Sequence, residues 1–289
     1  MSNIHGFTDS QPNSGDVSIQ NSMSTSTDSN RDDRLFIPSL YKLRSMSAIL
    51  LILNISIYII QILAFYLYYN KNKYSWTCLL VTFGAFQAGK IKNHYQYYRF
   101  ITSMFLHNSI AHMGSNCLSL FFLGFQVENE IKNKFYFFSL YLISGLIGNF
   151  NSLLFNVNSL SVGASGAIIG LCGNFVIYFL INYKRMSDRK KYSYGTMFLF
   201  LFINLFSGLA EGGENINMAS HIGGFIGGFC FSVILNYKMN YRMQFGNKNM
   251  RKIYFFSIAT LIIFPIASIV SLALQEVKNI ADYVCFPQK

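Results

Sequence analysis

Seven apolar stretches, most of them long enough to cross a lipid bilayer, constrain this chain more than any other feature. They fall at about 47–69, 103–127, 135–156, 164–182, 195–210, 218–236 and 253–274. A helix rises 1.5 Å per residue, so roughly 20 apolar residues span the ~30 Å hydrocarbon core. Lipid offers no partner to a backbone N–H or C=O, so a spanning segment must satisfy its own backbone. The fifth stretch is short and the second is polar at its start. The pattern still predicts an all-α, polytopic membrane protein with seven transmembrane helices. Composition agrees: 52% of residues are hydrophobic and only 12% are charged, against roughly 25% charged in a soluble domain. A soluble two-domain enzyme is excluded because the chain lacks the charge to cover its surface.

Residues 1–46 form the first region. Up to residue 34 it is rich in Ser, Asn and Asp with few bulky side chains, and reads as a disordered cytosolic tail. It holds no apolar h-region, so no cleavable signal peptide is expected. Residues 1–34 hold five Asp against two Arg, which argues against a mitochondrial presequence. Residues 47–236 form the core. Residues 237–289 add a cytosolic loop, the seventh helix and a short tail.

The net charge of +11 does not point to nucleic acid, because the Lys and Arg residues sit between the apolar stretches. With the N-terminus in the cytosol, 16 of the 23 Lys and Arg residues fall on the cytosolic side, as the positive-inside rule requires. The outer loops 157–163 and 211–217 carry none. Segment 70–99 fits least well, with Lys71, Lys73, Lys90, Lys92 and Arg99. It mixes Trp76 and a short apolar run with polar residues, and is expected to lie in the membrane interface. Cys117, Cys172 and Cys230 lie within apolar stretches. Cys78 and Cys285 lie outside them, and either pair or remain free thiols.

Ionisable and strongly polar residues within a bilayer are costly, so each is a functional candidate. His112 and Asn116 lie in the second stretch, Ser165 opens the fourth and His221 opens the sixth. These three helices all run inward from the outer face. The four side chains therefore reach a similar depth, in the outer third of the membrane, and Asn116 shares a helix face with His112. Gly166, Gly170 and Gly173 line one face of the fourth stretch. Gly224 and Gly228 lie on the face of His221, with Gly223 and Gly227 beside them. Glycine stripes of this kind serve helix packing. They also permit the close approach that a Ser–His hydrogen bond between helices needs.

Taken together these strings resemble the rhomboid family of intramembrane serine proteases. Gly163-Ala164-Ser165-Gly166 is similar to its nucleophile motif, and Ser220-His221-Ile222-Gly223-Gly224 to its histidine motif. His107, His112 and Asn116 are similar to its second-helix motif. Tyr98-Arg99 resembles its Trp-Arg pair, and Gly124-x-x-x-Glu128 the start of its Gly–Glu motif. The likeness covers about residues 47–236, and the last stretch matches the variant with six core helices plus one C-terminal helix. The Asn-rich bias and the tail resemble the parasite (apicomplexan) branch. Two positions depart from the pattern: Ser220, where the family usually has Ala, and Ile169, where it commonly has Tyr.

The resemblance implies hydrolysis of a peptide bond in or near the transmembrane segment of a single-span membrane protein. Surface adhesins are one such substrate class. Ser165 would be the nucleophile and His221 the general base, with no carboxylate to complete a triad. His112, Asn116 and the Ser165 N–H would supply oxyanion donors. Arg99 and Glu128 are expected to be architectural, and His107 and His94 loop residues. No cofactor or metal is implied: the sequence has no His-Glu-x-x-His motif, and no Asp between Asp33 and Asp188 to build an aspartyl pair. The expected setting is a multi-pass protein of the secretory pathway or plasma membrane, with lipid and protein partners. The alternative is a catalytically weak rhomboid-like protein that binds membrane clients. Such a protein would be expected to have lost Ser165 or His221.

Overall fold

The computed structural model describes residues 45–210, 218–239 and 248–277, together with Cys285. The expected tail through residue 44, the expected outer loop 211–217 and residues 240–247 before the last helix lie outside the described residues. So do the side chains of 200–210, 238–239 and 248–249.

Helix α1 (Met46–Ala64) starts at Ser45, whose Oγ accepts from the Ala48 N–H, and runs through a π-helical turn to Tyr69. Its first turn is also held by Glu128. That carboxylate accepts from the Met46 N–H at 2.8 Å, the Ser47 N–H at 2.9 Å and the Ser47 hydroxyl at 2.8 Å. An anion at a helix N-terminus satisfies orphan donors and meets the positive end of the helix dipole. The outer face of α1 exposes Ile52, Ile59, Ile60 and Leu63, as a lipid-facing helix should.

Segment 70–105 folds into a compact layer. Helix α2 (Trp76–Phe83) leads to strand β1 (Phe86–Gln87), helix α3 (Ala88–His94) and the short helix α4 (Arg99–Thr102), with a 3₁₀ turn at Ser103–Phe105. Arg99 is buried. Its Nη1 donates to the carbonyls of Val81 and Ala85, each at 2.8 Å, and its Nε to Gln96 Oε1 at 2.7 Å. The guanidinium therefore caps the C-terminal end of α2, the architectural role expected from the sequence.

The second span is α5 (Ile110–Ser119), a π-helical turn (Leu120–Gly124) and α6 (Phe125–Ile131) in one run. It begins at Ile110 and not at 103. The apolar run Met104–Leu106 is extended or 3₁₀, with Met104 and Leu106 buried, and Ser109 Oγ caps the helix through the His112 N–H. Helix α7 (Lys134–Phe155), strand β2 (Leu160–Ser161), helix α8 (Ser165–Asn182) and helix α9 (Asp188–Ala210) follow, then α10 (Met218–Met239) and α11 (Lys248–Leu274).

Six of these runs are long and apolar enough to cross a membrane: Met46–Tyr69, Ile110–Ile131, Lys134–Phe155, Ser165–Arg185, Met218–Tyr237 and Met250–Leu274. The chain is an all-α, multi-pass membrane protein. Helix α9 contains the expected fifth stretch but is not among the six. It starts with Asp188 and three basic residues. Near its base, Tyr194 stacks on Phe175 with ring centroids 4.3 Å apart, and its hydroxyl donates to Glu130.

Helices α7, α8 and α10 pack together around buried Phe137, Leu140, Tyr141 and Leu171. On the side where α8 and α10 begin, β1 and β2 pair antiparallel, with Phe86 opposite Ser161 and Gln87 opposite Leu160. The pairing question is answered there: Cys78 and Cys285 form a disulfide, with Cα atoms 4.8 Å apart and a sequence separation of 207. Lys92 adds a second tie between the layer and the last helix. Its Nζ donates to the carbonyls of Ala273 at 3.0 Å and Gln275 at 2.7 Å.

Candidate active site

Ser165 is the first residue of α8, and His221 lies in the first turn of α10. His221 Nε2 is 2.8 Å from Ser165 Oγ. The approach rests on glycine. A Cβ at Gly224 would collide with the Gly166 carbonyl, and one at Gly228 with the Gly170 carbonyl. Substituting either would push α10 away from α8 and open the Ser–His distance. Gly223 and Gly227 serve the other neighbour, packing on Asn151 and Ile147 of α7.

His112 and Asn116 flank the chain just before Ser165. Gly163 has φ +124°, a conformation side chains rarely adopt. A Cβ there would sit 2.7 Å from His112 Nε2 and 3.5 Å from Asn116 Nδ2. Both side chains thus reach the loop that turns into α8. Asn116 is buried, and its Nδ2 has no partner among the described residues. The Ser165 N–H, at the first position of a helix, is one of the donors that a helix leaves unserved.

A hydroxyl and an imidazole at this separation can exchange a proton. His221 Nδ1 has no partner among the described residues. Among the described residues no carboxylate holds the ring, and the contacts of its helix with α7 and α8 do.

His107 is fully buried in the extended link before α5, and neither ring nitrogen has a partner among the described residues. Its ring meets His112 edge-on at 5.3 Å. Burial, with His112 alongside, pushes its pKa down to about 3, so the ring is neutral at physiological pH. Its backbone is gripped by Gln61 of α1: Nε2 donates to the His107 carbonyl and Oε1 accepts the His107 N–H, both at 3.2 Å. His94 ends α3 and is exposed. Sequence reasoning missed Gln61 and the α7 residues Asn149 and Asn151. A buried amide inside an apolar run was the signal that could have marked them.

The helical bundle, the layer of segment 70–105 and the Ser–His contact describe a polytopic protein with a polar site where α8 and α10 begin. The family model described as the Rhomboid domain matches residues 94–238, half of the chain, and the chain belongs to the rhomboid family. It is 30% identical over 208 residues to Rhomboid protease AarA of Providencia stuartii, covering 62% of this chain and 68% of that protein. It is 35% identical over 148 residues to RHOMBOID-like protein 4 of Arabidopsis thaliana, covering 50% of this chain and 36% of that protein. It is 28% identical over 145 residues to Rhomboid-like protease 3 of Toxoplasma gondii, covering 50% of this chain and 54% of that protein. The chain spans only 36% and 43% of the length of RHOMBOID-like proteins 4 and 2 of Arabidopsis thaliana.

Proposed function

We propose that this protein is an intramembrane serine endopeptidase that cuts single-span membrane proteins in or near their transmembrane segment, using Ser165 and His221. The observation that carries this is the 2.8 Å contact between His221 Nε2 and Ser165 Oγ. Ser165 Oγ attacks the scissile carbonyl carbon as its proton passes to His221 Nε2. The carbonyl oxygen takes up negative charge facing Asn116 Nδ2, His112 and the Ser165 N–H. The tetrahedral species collapses, the C–N bond breaks, and His221 returns the proton to the leaving amine. Water then attacks the acyl-enzyme, again with His221 as base, and frees Ser165.

The same reading gives the chain seven crossings, with α9 as the fifth, residues 47–236 as the catalytic core and residues 1–46 in the cytosol. Charge distribution supports that orientation. The disulfide supports it independently. Disulfides persist in oxidising compartments, and Cys78 lies in the layer that β1 joins to the strand before Ser165. The site then opens to the lumen or cell exterior, along the secretory pathway or at the plasma membrane.

Co-expression with a panel of single-span reporters tests the proposal. Wild type should release a reporter fragment. Ser165→Ala and His221→Ala, expressed to the same level, should release none. Cleavage by Ser165→Ala at the wild-type rate would refute it.

A further inference from the structure

His221 lacks an orienting carboxylate among the described residues, yet its Nε2 sits within hydrogen-bond distance of Ser165. Something else must hold the two helix starts in register. Two buried amides near the end of α7 contact both.

Asn149 and Asn151 are two residues apart, hence about 200° apart around the helix. They point to opposite neighbours. Asn149 Nδ2 donates to the Phe100 carbonyl at 2.8 Å and to Ser103 Oγ at 3.1 Å. The Ser103 carbonyl in turn accepts the Gly163 N–H at 2.9 Å, two residues before Ser165. Asn151 Nδ2 donates to the Ala219 carbonyl at 2.6 Å, two residues before His221. The chain from Asn149 therefore ends on the serine side of the site, and Asn151 ends on the histidine side.

The Asn149 contact serves a carbonyl of the four-residue helix α4, but the Asn151 contact fills no such need. In a helix that begins at Met218, the Ala219 carbonyl is the regular acceptor for the N–H four residues on. Asn151 adds a second donor to a carbonyl that the helix already serves. Its own Oδ1 has no partner among the described residues, so burial of this amide is costly. A leucine would fill the position at lower cost. What the amide supplies is a directional contact, and the neighbouring Gly223 lets α10 close on it, since a Cβ there would strike Asn151 Cβ.

We propose that Asn149 and Asn151 are a positioning pair: one turn of α7 fixes the segment before Ser165 with one amide and the start of the His221 helix with the other. Neither residue touches the reacting atoms. The inference rests on the Ser165–His221 reading.

The test measures kcat and KM on a cleaved reporter in detergent at pH 8, normalised to the fraction of Ser165 that a fluorophosphonate titrates. Asn151→Ala and Asn151→Asp should both lower kcat by about 10- to 100-fold, the scale of a misplacement of roughly 1 Å, with KM within about twofold. The aspartate keeps the shape and, when ionised, has no proton to donate. Asn149→Ala should act in the same direction from the serine side. A kcat within about twofold of wild type in both Asn151 variants would overturn the pair, as would a change confined to KM. If every variant loses its fold, the amides are structural and the positioning role is likewise overturned. Ser165→Ala separates the two levels. Retained cleavage there removes the underlying dyad, whereas a dead Ser165→Ala beside wild-type Asn151 variants removes only the pair.

Discussion

Phe86 and Ser161 face each other in the two-residue ladder between β1 and β2. Through that pairing the layer built from segment 70–105 is joined to the strand that turns, at Gly163, into the Ser165 helix. The layer is itself tied to the far end of the chain by Cys78–Cys285 and by Lys92. The end of the bundle where α8 begins is thus held by contacts from three distant parts of the sequence.

The disulfide should matter for stability in proportion to that role. A crosslink closing a long loop restricts the unfolded chain and typically contributes about 2–4 kcal/mol. Cys78→Ser should lower the melting temperature in detergent, and so should reduction of the wild type. Reductant should then have no further effect on Cys78→Ser. Equal melting of oxidised and reduced wild type would show that the crosslink does not hold the layer.

His107 gives a pH dependence of defined sign. Its folded pKa of about 3 lies below the ordinary value near 6.5. The fold therefore prefers the neutral ring. That contribution is fully present above pH ~6.5 and is lost as pH falls from there toward about 3, by at most ~1.4 kcal/mol per pH unit. Thermal melts of His107→Gln should be flatter between pH 6.5 and 4.5 than those of wild type. Parallel slopes would mean that other groups carry the acid sensitivity.

Much of this arrangement is legible in the sequence, and what is not has physical reasons. Ser165, His221 and His112 each stand near the start of a span on the same side, so their similar depth follows from helix rise alone. The glycine spacing in α8 and α10 anticipates the contact of Gly224 with Gly166 and Gly228 with Gly170. The start of the second span is misread because Met104, Phe105 and Leu106 look like membrane residues. They are apolar because Met104 and Phe105 pack against the helical bundle and Leu106 lies inside the folded layer. The partnership of Cys78 with Cys285 depends on tertiary folding across 207 residues, which local pattern cannot report. Asn149 and Asn151 hide in an apolar run, where their partners are carbonyls on other helices.

Asn116 should act on turnover. Its Nδ2 is buried beside Gly163 and has no partner among the described residues. A donor held ready for a developing oxyanion typically contributes about 10²–10³ in rate. Asn116→Ala should reduce kcat on that scale while KM changes little. A variant with intact kcat and a much raised KM would move Asn116 from the oxyanion to the docking of substrate.

Substrate choice should follow from the helix that must be opened. A peptide carbonyl inside an intact transmembrane helix is hydrogen-bonded and screened by side chains, so Ser165 Oγ cannot approach it. Unwinding such a helix in lipid exposes backbone groups at several kcal/mol each. Residues that disfavour helix lower this barrier, Gly by ~1 kcal/mol and Pro by ~3 kcal/mol relative to Ala. The site lies at the start of α8 and α10, between helices whose glycines bring the backbones into contact, so it has little room for bulky residues at the scissile bond. The expected substrates are single-span surface proteins with small residues near the outer membrane boundary and a helix breaker just below. Replacing that breaker with Leu in a reporter should suppress cleavage, and moving it three or four residues should change the efficiency. If a uniform poly-Leu span is cut as fast as the parent, unwinding is not the selective step.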